Sequence, residues 1–217
     1  MNLSSVKDVR VLAEIAEMKR IYLVVKNCLI KSSPACLVVT SGSPGEGKTT
    51  VVAGIAGIAA SQNNKRVLAM DLHWHAPALH NWFGLTPTLK SGDVRQKKSL
   101  VDLVQSSGIN NLDILTAMLP SQDEDELNED INTVGIEIIS QAREAYDLVI
   151  VDTSSIFPTN RSMMDPVTIS KAADGVALVV LANVTPRQQV KRAHMYLETA
   201  GTNIIGIVVN QWKNPLA

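Results

Sequence analysis

The sequence predicts an α/β protein with a single doubly wound, mainly parallel β-sheet and helices on both faces. Six short apolar runs recur along the chain, and several are rich in Val and Ile without polar alternation, which is typical of strands buried on both faces. These runs are Cys36–Thr40, Val67–Met70, Leu112–Leu115, Leu148–Val151, Val176–Leu181 and Ile204–Val209. Helical patterns lie between the runs, and strands that alternate with helices form parallel sheets with right-handed crossovers.

The helical patterns begin at the N-terminus. Residues from about 6 to 30 predict one helix, because Leu12, Ile15 and Tyr22 fall near one face. The later helical patterns are Thr50–Ala60, Leu100–Gln105, Glu126–Ala145, Asp165–Ala173 and Pro186–Ala200. The stretches Leu85–Val101 and Asp123–Asp130 are predicted to be surface connections. No linker interrupts the pattern, so residues 1–217 are predicted to form one domain.

The composition excludes several classes of protein. With 46% hydrophobic and 19% charged residues, the chain is neither disordered nor collagen-like. Twenty Lys and Arg against twenty-one Asp and Glu give a net charge of −1, so no nucleic-acid partner is expected. Cys28 and Cys36 are too few for a disulfide framework or a metal quartet. Neither a signal peptide nor a membrane-length apolar run is found, so we expect a cytoplasmic protein.

The strongest functional signal is a glycine-rich loop between the first strand and the next helix. Residues 42–49 match the phosphate-loop pattern Gly-x-x-x-x-Gly-Lys-Thr in the required strand–loop–helix context. Glycines let consecutive backbone N–H groups point at phosphate oxygens, and the helix adds its positive end. Lys48 is expected to reach the β- and γ-phosphates, and the Thr49 hydroxyl to bind Mg²⁺. The residues predicted to contact ATP or ADP are Gly42, Ser43, Pro44, Gly45, Glu46, Gly47, Lys48, Thr49 and Thr50.

Two aspartates follow buried strands, at the positions where such a loop needs carboxylates. Asp71 ends the second predicted strand and Asp152 ends the fourth. In an open parallel sheet the carboxyl ends of the strands form the ligand crevice, so both side chains are expected to face the nucleotide. We therefore predict Lys48, Asp71 and Asp152 as catalytic residues, and Thr49, Asp71 and Asp152 as metal ligands. The alternative for each aspartate is a helix-capping or turn residue.

With these elements placed, the sequence resembles the bacterial tyrosine kinases of capsule and exopolysaccharide systems, the BY-kinases. These kinases belong to the phosphate-loop (P-loop) ATPases. The resemblance extends from about Glu14 to Asn210. The motifs that carry it are Ser41–Thr49, Asp71–His80, Phe83–Leu85, Tyr146–Thr153, Ala173–Val176 and Gly206–Asn210.

The resemblance implies a P-loop NTPase fold and a Mg²⁺-dependent reaction with ATP. It implies that Lys48 and Thr49 bind the phosphates and Mg²⁺, that Asp152 positions the metal through water, and that Asp71 prepares the attacking hydroxyl or holds the metal. It also implies that Asn210 lies near the adenine. The expected reaction is phosphoryl transfer to tyrosine in trans. The implied partner is a membrane-embedded protein that helps set polysaccharide chain length and export, which would hold this chain at the inner face of the membrane.

The sequence departs from the family pattern within the motif that begins at Asp71. His73 stands where the family has a second aspartate, and His75 stands at its arginine position. Imidazole is a poor partner for Mg²⁺, so the loss of a carboxylate is expected to weaken phosphoryl transfer. The simpler interpretation of His73 and His75 is that both are exposed loop residues.

Further departures leave the activity and the assembly open. The family's C-terminal tyrosine cluster is missing, so either the sequence stops short of it or this protein is not its own substrate. The family's oligomerisation motif is only partly present, because Leu23 stands at its second arginine, and a homo-oligomer stays an option. Together with His73, these departures motivate a nucleotide-gated adaptor that binds ATP without turning it over. A third hypothesis is a switch ATPase of the ParA/MinD partitioning type. Those ATPases carry a signature lysine where this chain has Ser43, which counts against that hypothesis.

Overall fold

The computed structural model of the chain describes residues 6–62, 65–90, 93, 99–118, 130–157 and 163–211. The strands within this part are β1 (Ala35–Ser41), β2 (Val67–Asp71), β3 (Gln105–Ile109), β4 (Leu112–Leu115), β5 (Leu148–Ser155), β6 (Gly175–Leu181) and β7 (Ile204–Asn210). They form one sheet in the order β3-β4-β2-β5-β1-β6-β7. Every neighbouring pair is parallel except β3 with β4. The predicted fold class is confirmed, whereas the single domain over 1–217 stays a prediction.

Helices cover both faces of this sheet. The helices in the described residues are α1 (Val6–Glu14), α2 (Ala16–Cys28), α3 (Lys48–Gln62), α4 (Leu79–Trp82), α5 (Leu100–Leu103), α6 (Ile131–Ala145), α7 (Pro166–Ser170) and α8 (Arg187–Thr199). The first four pack into one hydrophobic core and the last four into a second core on the opposite face. None of these described helices combines the length and the apolar character that a membrane crossing requires.

The central strand β1 explains why the apolar runs lack alternation. All seven residues of β1 are buried. Leu37 and Val39 point into the first core, whereas Cys36 and Val38 point into the second. Because both faces of the strand are covered, each position favours a small or branched apolar side chain.

The prediction of one N-terminal helix from about 6 to 30 is wrong. The helix breaks at Ile15, whose backbone is extended (φ −67°, ψ 125°), so that α1 and α2 are separate. Both segments pack on α3, and each does so at a glycine: Val9 lies over Gly57, and Met18 lies over Gly54. The break lets each segment bring its apolar face onto α3 on its own, an arrangement that local helical periodicity cannot reveal.

The predicted helix Leu100–Gln105 is also wrong in part. It ends at Leu103, and the chain continues as β3, which pairs antiparallel with β4 at the edge of the sheet. The turn between these strands contains Asn111 with φ +64°, a left-handed conformation that asparagine tolerates. The polar sequence of β3 gives no hydrophobic strand signal, because an edge strand need not be buried on both faces.

Other boundaries shift by a few residues. The predicted helix Glu126–Ala145 begins at Ile131, with the Asp130 side chain accepting the Asn132 N–H. The remainder of the predicted surface connection before Asp130, residues 123–129, lies outside the described residues. The predicted connection Leu85–Val101 is not wholly on the surface, because Leu89 is buried in the second core.

The close approach of α1 to α3 generates a stability prediction. A Cβ added at Gly57 would lie 2.8 Å from Cγ1 of Val9, whereas a Cβ at Gly206 on β7 would meet no atom within 4 Å. We expect Gly57→Val to lower the free energy of unfolding by about 1–3 kcal/mol, because overpacking forces the helices apart. Gly206→Val should not lower it, since Val suits an exposed strand position. Urea denaturation measures both variants, and equal stabilities would contradict this account of the helix contact.

Candidate nucleotide-binding site

The glycine-rich loop lies at the carboxyl edge of the sheet, between β1 and α3. Gly45 and Gly47 have φ angles of +76° and +95°, in the left-handed region that favours glycine. A side chain at Gly47 would also clash with Nδ2 of Asn210. The loop leads directly into α3, so the positive N-terminal end of that helix faces the same space.

Lys48 occupies the floor of this loop. Its side chain is buried, and Nζ donates a hydrogen bond to Oγ of Ser41 at 3.1 Å. Ser41 in turn donates to the carbonyl of Ser43 at 2.7 Å. Burial lowers the Lys48 pKa, and the nearby carboxylates of Asp152 and Glu46 act in the opposite direction. The site therefore holds a cation that is largely withdrawn from water.

Asp152 lies on β5 beside the first turn of α3. Oγ1 of Thr49 donates to its Oδ2 at 2.6 Å. Its Oδ1 is buried and accepts no hydrogen bond from the described residues. Burial first, and the neighbouring charge of Asp71 second, raise the Asp152 pKa. The aspartate therefore has an oxygen that is free to accept a cation or a bound water.

These residues fit a magnesium ion. The Thr49 hydroxyl donates its proton to Asp152 and so keeps its lone pairs available, and the unpartnered Oδ1 is a second hard oxygen ligand. Mg²⁺ commonly takes few protein ligands and completes its shell with phosphate oxygens and water. Among the described residues no three His, Cys, Asp or Glu side chains group into a metal site, so a cage made by the protein alone is not formed there.

Asp71 pairs with Asp152 across strands β2 and β5, as the sequence predicts for two strand ends in one crevice. Its Oδ1 accepts the N–H of His73 at 3.0 Å, and its Oδ2 accepts the N–H groups of Ala78 and Leu79 at 3.1 Å each. Burial raises the Asp71 pKa, and these three hydrogen bonds lower it. In this state Asp71 holds the loop after β2 and the start of α4, which is the turn and capping role that the sequence left open.

Glu46 and Asn210 hold the loop from its other side. The buried Glu46 carboxylate accepts the N–H of Ser43 at 3.0 Å and the hydroxyl of Thr185. Nδ2 of Asn210 donates to the Glu46 carbonyl at 3.0 Å. Both residues are predicted nucleotide contacts, and these hydrogen bonds show that their side chains brace the loop. Their contact with a nucleotide stays a prediction.

Two residues that brace the loop have no counterpart in the sequence predictions. Thr185 reaches Glu46, and Nε2 of Gln189 donates to the Gly42 carbonyl at 3.3 Å. Both lie at the start of α8, where the dipeptide Thr185-Pro186 is a helix-start signal. That signal predicts where helix α8 begins, but it does not predict that this part of the helix is hydrogen-bonded to the phosphate loop.

His73 is closer to the site than an exposed loop residue would be. Its side chain is only partly accessible, and burial together with the charges of Lys48 and His75 lowers its pKa to about 4. His75 is exposed, as predicted. At neutral pH, therefore, a neutral imidazole lies within electrostatic range of the Lys48 ammonium, where the resemblance would have a carboxylate.

The other predicted nucleotide contacts lie in the phosphate loop or in the first turn of α3. Ser43 donates its N–H to Glu46, Pro44 and Gly45 are exposed at the loop surface, and Thr50 lies in the first turn of α3. The structure thus brings the loop, Lys48, Asp71, Asp152 and Asn210 to one edge of the sheet. Their roles in binding or catalysis stay predictions.

The fold and this loop define a nucleotide-binding protein of the P-loop class. Residues 37–217 match the family model described as the CobQ/CobB/MinD/ParA nucleotide binding domain. The chain is 32% identical to the tyrosine-protein kinase YwqD of Bacillus subtilis (strain 168), over 82% of this chain and 72% of YwqD. The chain therefore belongs to the CobQ/CobB/MinD/ParA nucleotide-binding family and, within it, to the group of the bacterial tyrosine-protein kinases.

Other relatives agree with this assignment. The chain is 28% identical to the tyrosine-protein kinase Etk of Escherichia coli (strain K12), over 80% of this chain but only 23% of Etk. The solved kinase domain of Escherichia coli Etk superposes with a TM-score of 0.72 at 21% identity, over 89% of this chain and 74% of that domain. The septum site-determining protein MinD of Pyrococcus horikoshii OT3, solved with Mg-ADP, superposes with a TM-score of 0.67 at 20% identity, over 84% and 72%. The two structures share the fold.

The buried carboxylates make stability depend on pH. A pKa raised in the folded state means that the folded protein binds more protons than the unfolded chain, so stability falls as pH rises toward that pKa. Between about pH 7.5 and 8, where the His73 imidazole is almost wholly neutral in both the folded and the unfolded protein, we expect the free energy of unfolding to decline with a slope of at most about 1.4 kcal/mol per pH unit for each proton.

Asp152→Asn should make this decline shallower, because it removes the buried acid. Asp130→Asn is the matched control, since the Asp130 pKa is lowered by hydrogen bonds and its proton is lost well below this pH range. Urea denaturation without nucleotide, over a series of pH values, gives the slopes. The same slope in Asp152→Asn and in the unaltered protein would show that Asp152 is ionised when buried.

Proposed function

We propose that this chain binds ATP with Mg²⁺ and transfers the γ-phosphoryl group to a tyrosine hydroxyl of a protein substrate. The observation that carries the proposal is the Thr49–Asp152 hydrogen bond beside the buried Lys48, with one Asp152 oxygen unpartnered. This arrangement offers a cation for the phosphates and oxygen ligands for a divalent metal within one buried edge. The tyrosine specificity is supported by the relatives, since YwqD and Etk are named tyrosine-protein kinases.

The proposed roles follow from the position of each group. The loop N–H groups and the Lys48 ammonium would hold the phosphates and offset their charge, so catalysis would come from orientation and preorganised electrostatics. Thr49 and Asp152 would hold Mg²⁺, which supplies further neutralisation of phosphate charge when bound. Asp71, beside Asp152, would orient the attacking hydroxyl while it holds the loop that carries His73.

We extend the proposal to the setting of the protein. The resemblance supports a membrane-embedded partner of a polysaccharide synthesis or export system, a position at the cytoplasmic face of the membrane, and homo-oligomers that phosphorylate in trans. The net charge of −1 gives no support for nucleic acid as a partner. The partitioning ATPases carry a signature lysine where this chain has Ser43, which counts against a switch ATPase of that type. The Ser43 N–H donates a hydrogen bond to the Glu46 carboxylate.

His73 supports a second candidate, a nucleotide-gated adaptor. A neutral imidazole within electrostatic range of Lys48 adds no negative charge with which to hold a divalent metal or to activate a hydroxyl. A chain with this substitution could keep nucleotide affinity, through the loop and Lys48, and lose turnover. Binding without ADP formation is the result that separates the adaptor from the kinase.

The first test measures ADP formation with Mg-ATP, with and without a tyrosine-containing glutamate copolymer. We expect the copolymer to stimulate turnover and to become phosphorylated on tyrosine. Lys48→Ala should reduce the rate at least tenfold, since it removes the cation of the loop, whereas Lys26→Ala on the exposed side of α2 should not. ATP binding with no ADP above the Lys48→Ala blank would support the adaptor instead.

The second test restores the carboxylate. If His73 limits the reaction, His73→Asp should raise Mg²⁺-dependent turnover several-fold, because it supplies a hard oxygen ligand within electrostatic range of Lys48. His75→Asp is the matched control, since it makes the same change two residues away at an exposed position. Steady-state rates over a Mg²⁺ titration compare the two variants. Equal rates in both would mean that position 73 does not limit turnover.

A further inference from the structure

The three tyrosines of the chain differ sharply in accessibility, and all three lie in described residues. Tyr22 is 3% exposed within the first core, and Tyr146 is 8% exposed in the second. The Tyr146 hydroxyl also donates to Oδ2 of Asp113 at 2.9 Å. A phosphate there would be buried next to a carboxylate, which repels it. Tyr196, on α8, is 46% exposed. Only Tyr196 is open to another molecule.

The helix positions that face Tyr196 favour a phosphate. In a helix, a residue faces those three and four positions away, which for Tyr196 are Arg192, Ala193, Thr199 and Ala200. These four provide one cation and no acid. Glu198 is the acidic residue of this helix, and its carboxylate lies 3.6 Å from Nδ1 of His194.

Arg192 is held next to Tyr196 by an aromatic ring. The Arg192 guanidinium carbon lies 4.8 Å from the centroid of the Phe157 ring. The Tyr196 ring packs edge-on against the same ring, with centroids 5.5 Å apart and an interplanar angle of 69°. A guanidinium held in this way needs little reordering to pair with a phosphate on Tyr196, and such charge-assisted hydrogen bonds are among the stronger ones in proteins.

Most of the exposed charged residues of this helix are cationic. Arg187 and Lys191 are exposed on α8, and no acidic residue lies between Arg187 and Glu198. Three cations, Arg187, Lys191 and Arg192, outnumber the one acid, Glu198, so the net charge of this surface attracts an anionic nucleotide bound to another molecule. Tyr196 is therefore the tyrosine that is exposed, has cations nearby and faces no acid on its own helix.

We propose that Tyr196 is a phosphoryl acceptor within this chain, modified by the nucleotide site of a second copy, and that Arg192 pairs with the phosphate. The proposal rests on the proposed tyrosine-kinase function. The Tyr196 phenolic oxygen forms a bond to the γ-phosphorus, and the bond from that phosphorus to the β–γ bridging oxygen breaks. ADP leaves with the electron pair, and the phenolic proton goes to solvent. A dianionic phosphate then lies beside the Arg192 guanidinium.

The test mixes a donor chain with an acceptor chain in Mg-ATP. The donor carries Tyr196→Phe and keeps its nucleotide site, and the acceptor carries Lys48→Ala and keeps Tyr196. Peptide mass spectrometry should find phosphate on Tyr196 of the acceptor, which shows transfer in trans. Adding Arg192→Gln to the acceptor should slow the transfer several-fold, whereas the charge-matched control Lys26→Gln, on exposed α2, should leave the rate unchanged.

A parallel reaction of the donor with the tyrosine-containing copolymer tests the kinase function separately from the claim that Tyr196 is the acceptor. Phosphorylated copolymer without phosphate on Tyr196, or with phosphate on Tyr22 or Tyr146 instead, overturns Tyr196 as the acceptor and leaves the kinase function intact. ATP binding with neither substrate phosphorylated overturns both. Phosphate on Tyr196 at an unchanged rate in Arg192→Gln overturns the role of Arg192 alone.

Discussion

The site depends on the burial of one cation, Lys48, and two neighbouring aspartates at the carboxyl edge of a parallel sheet. Withdrawing such charges from water costs several kcal/mol per ion unless they are paired or hydrogen-bonded. Lys48 lies between the Ser41 hydroxyl and the charge of Asp152, and Asp152 faces Asp71 across β2 and β5. The two carboxylates raise each other's cost of ionisation, so this edge is suited to a ligand that brings both a divalent cation and phosphate. The strand order that makes β1, β2 and β5 neighbours brings these groups together.

The sequence predicts the interior of this fold well and its periphery poorly. Strands such as β1 and β5 are buried throughout, so their apolar runs reveal them without knowledge of the tertiary structure. The break at Ile15 has no glycine or proline to signal it, because it results from the packing of two segments on α3. Strand β3 is polar and at the edge of the sheet, and its existence depends on pairing with β4 rather than on its own residues.

The site likewise contains residues that a local sequence pattern predicts and residues whose partners it does not predict. Gly47, Lys48 and Thr49 act through backbone conformation and position next to a strand, so a local pattern is enough to find them. Glu46 belongs to the same pattern, but its carboxylate is used by Thr185, which is 139 residues away. A single sequence contains no signal for such long-range hydrogen bonds. The partners of Asp71 are similarly hidden, because the loop after β2 folds back over its carboxylate.

The loop is also the point at which the far half of the sheet meets the nucleotide site. The Gly42 carbonyl accepts the N–H of Phe157 at 3.1 Å, from the segment after β5, and the Gln189 amide of α8 at 3.3 Å. Glu46 receives the Thr185 hydroxyl from the segment after β6, and its carbonyl receives Asn210 from the end of β7. A change in the loop backbone on nucleotide binding must therefore be accommodated by the start of α8 and by Phe157, on whose ring Arg192 rests. The helix that carries Arg187, Lys191 and Arg192 is thus linked to the phosphate loop through the Gly42 carbonyl and the Glu46 carboxylate.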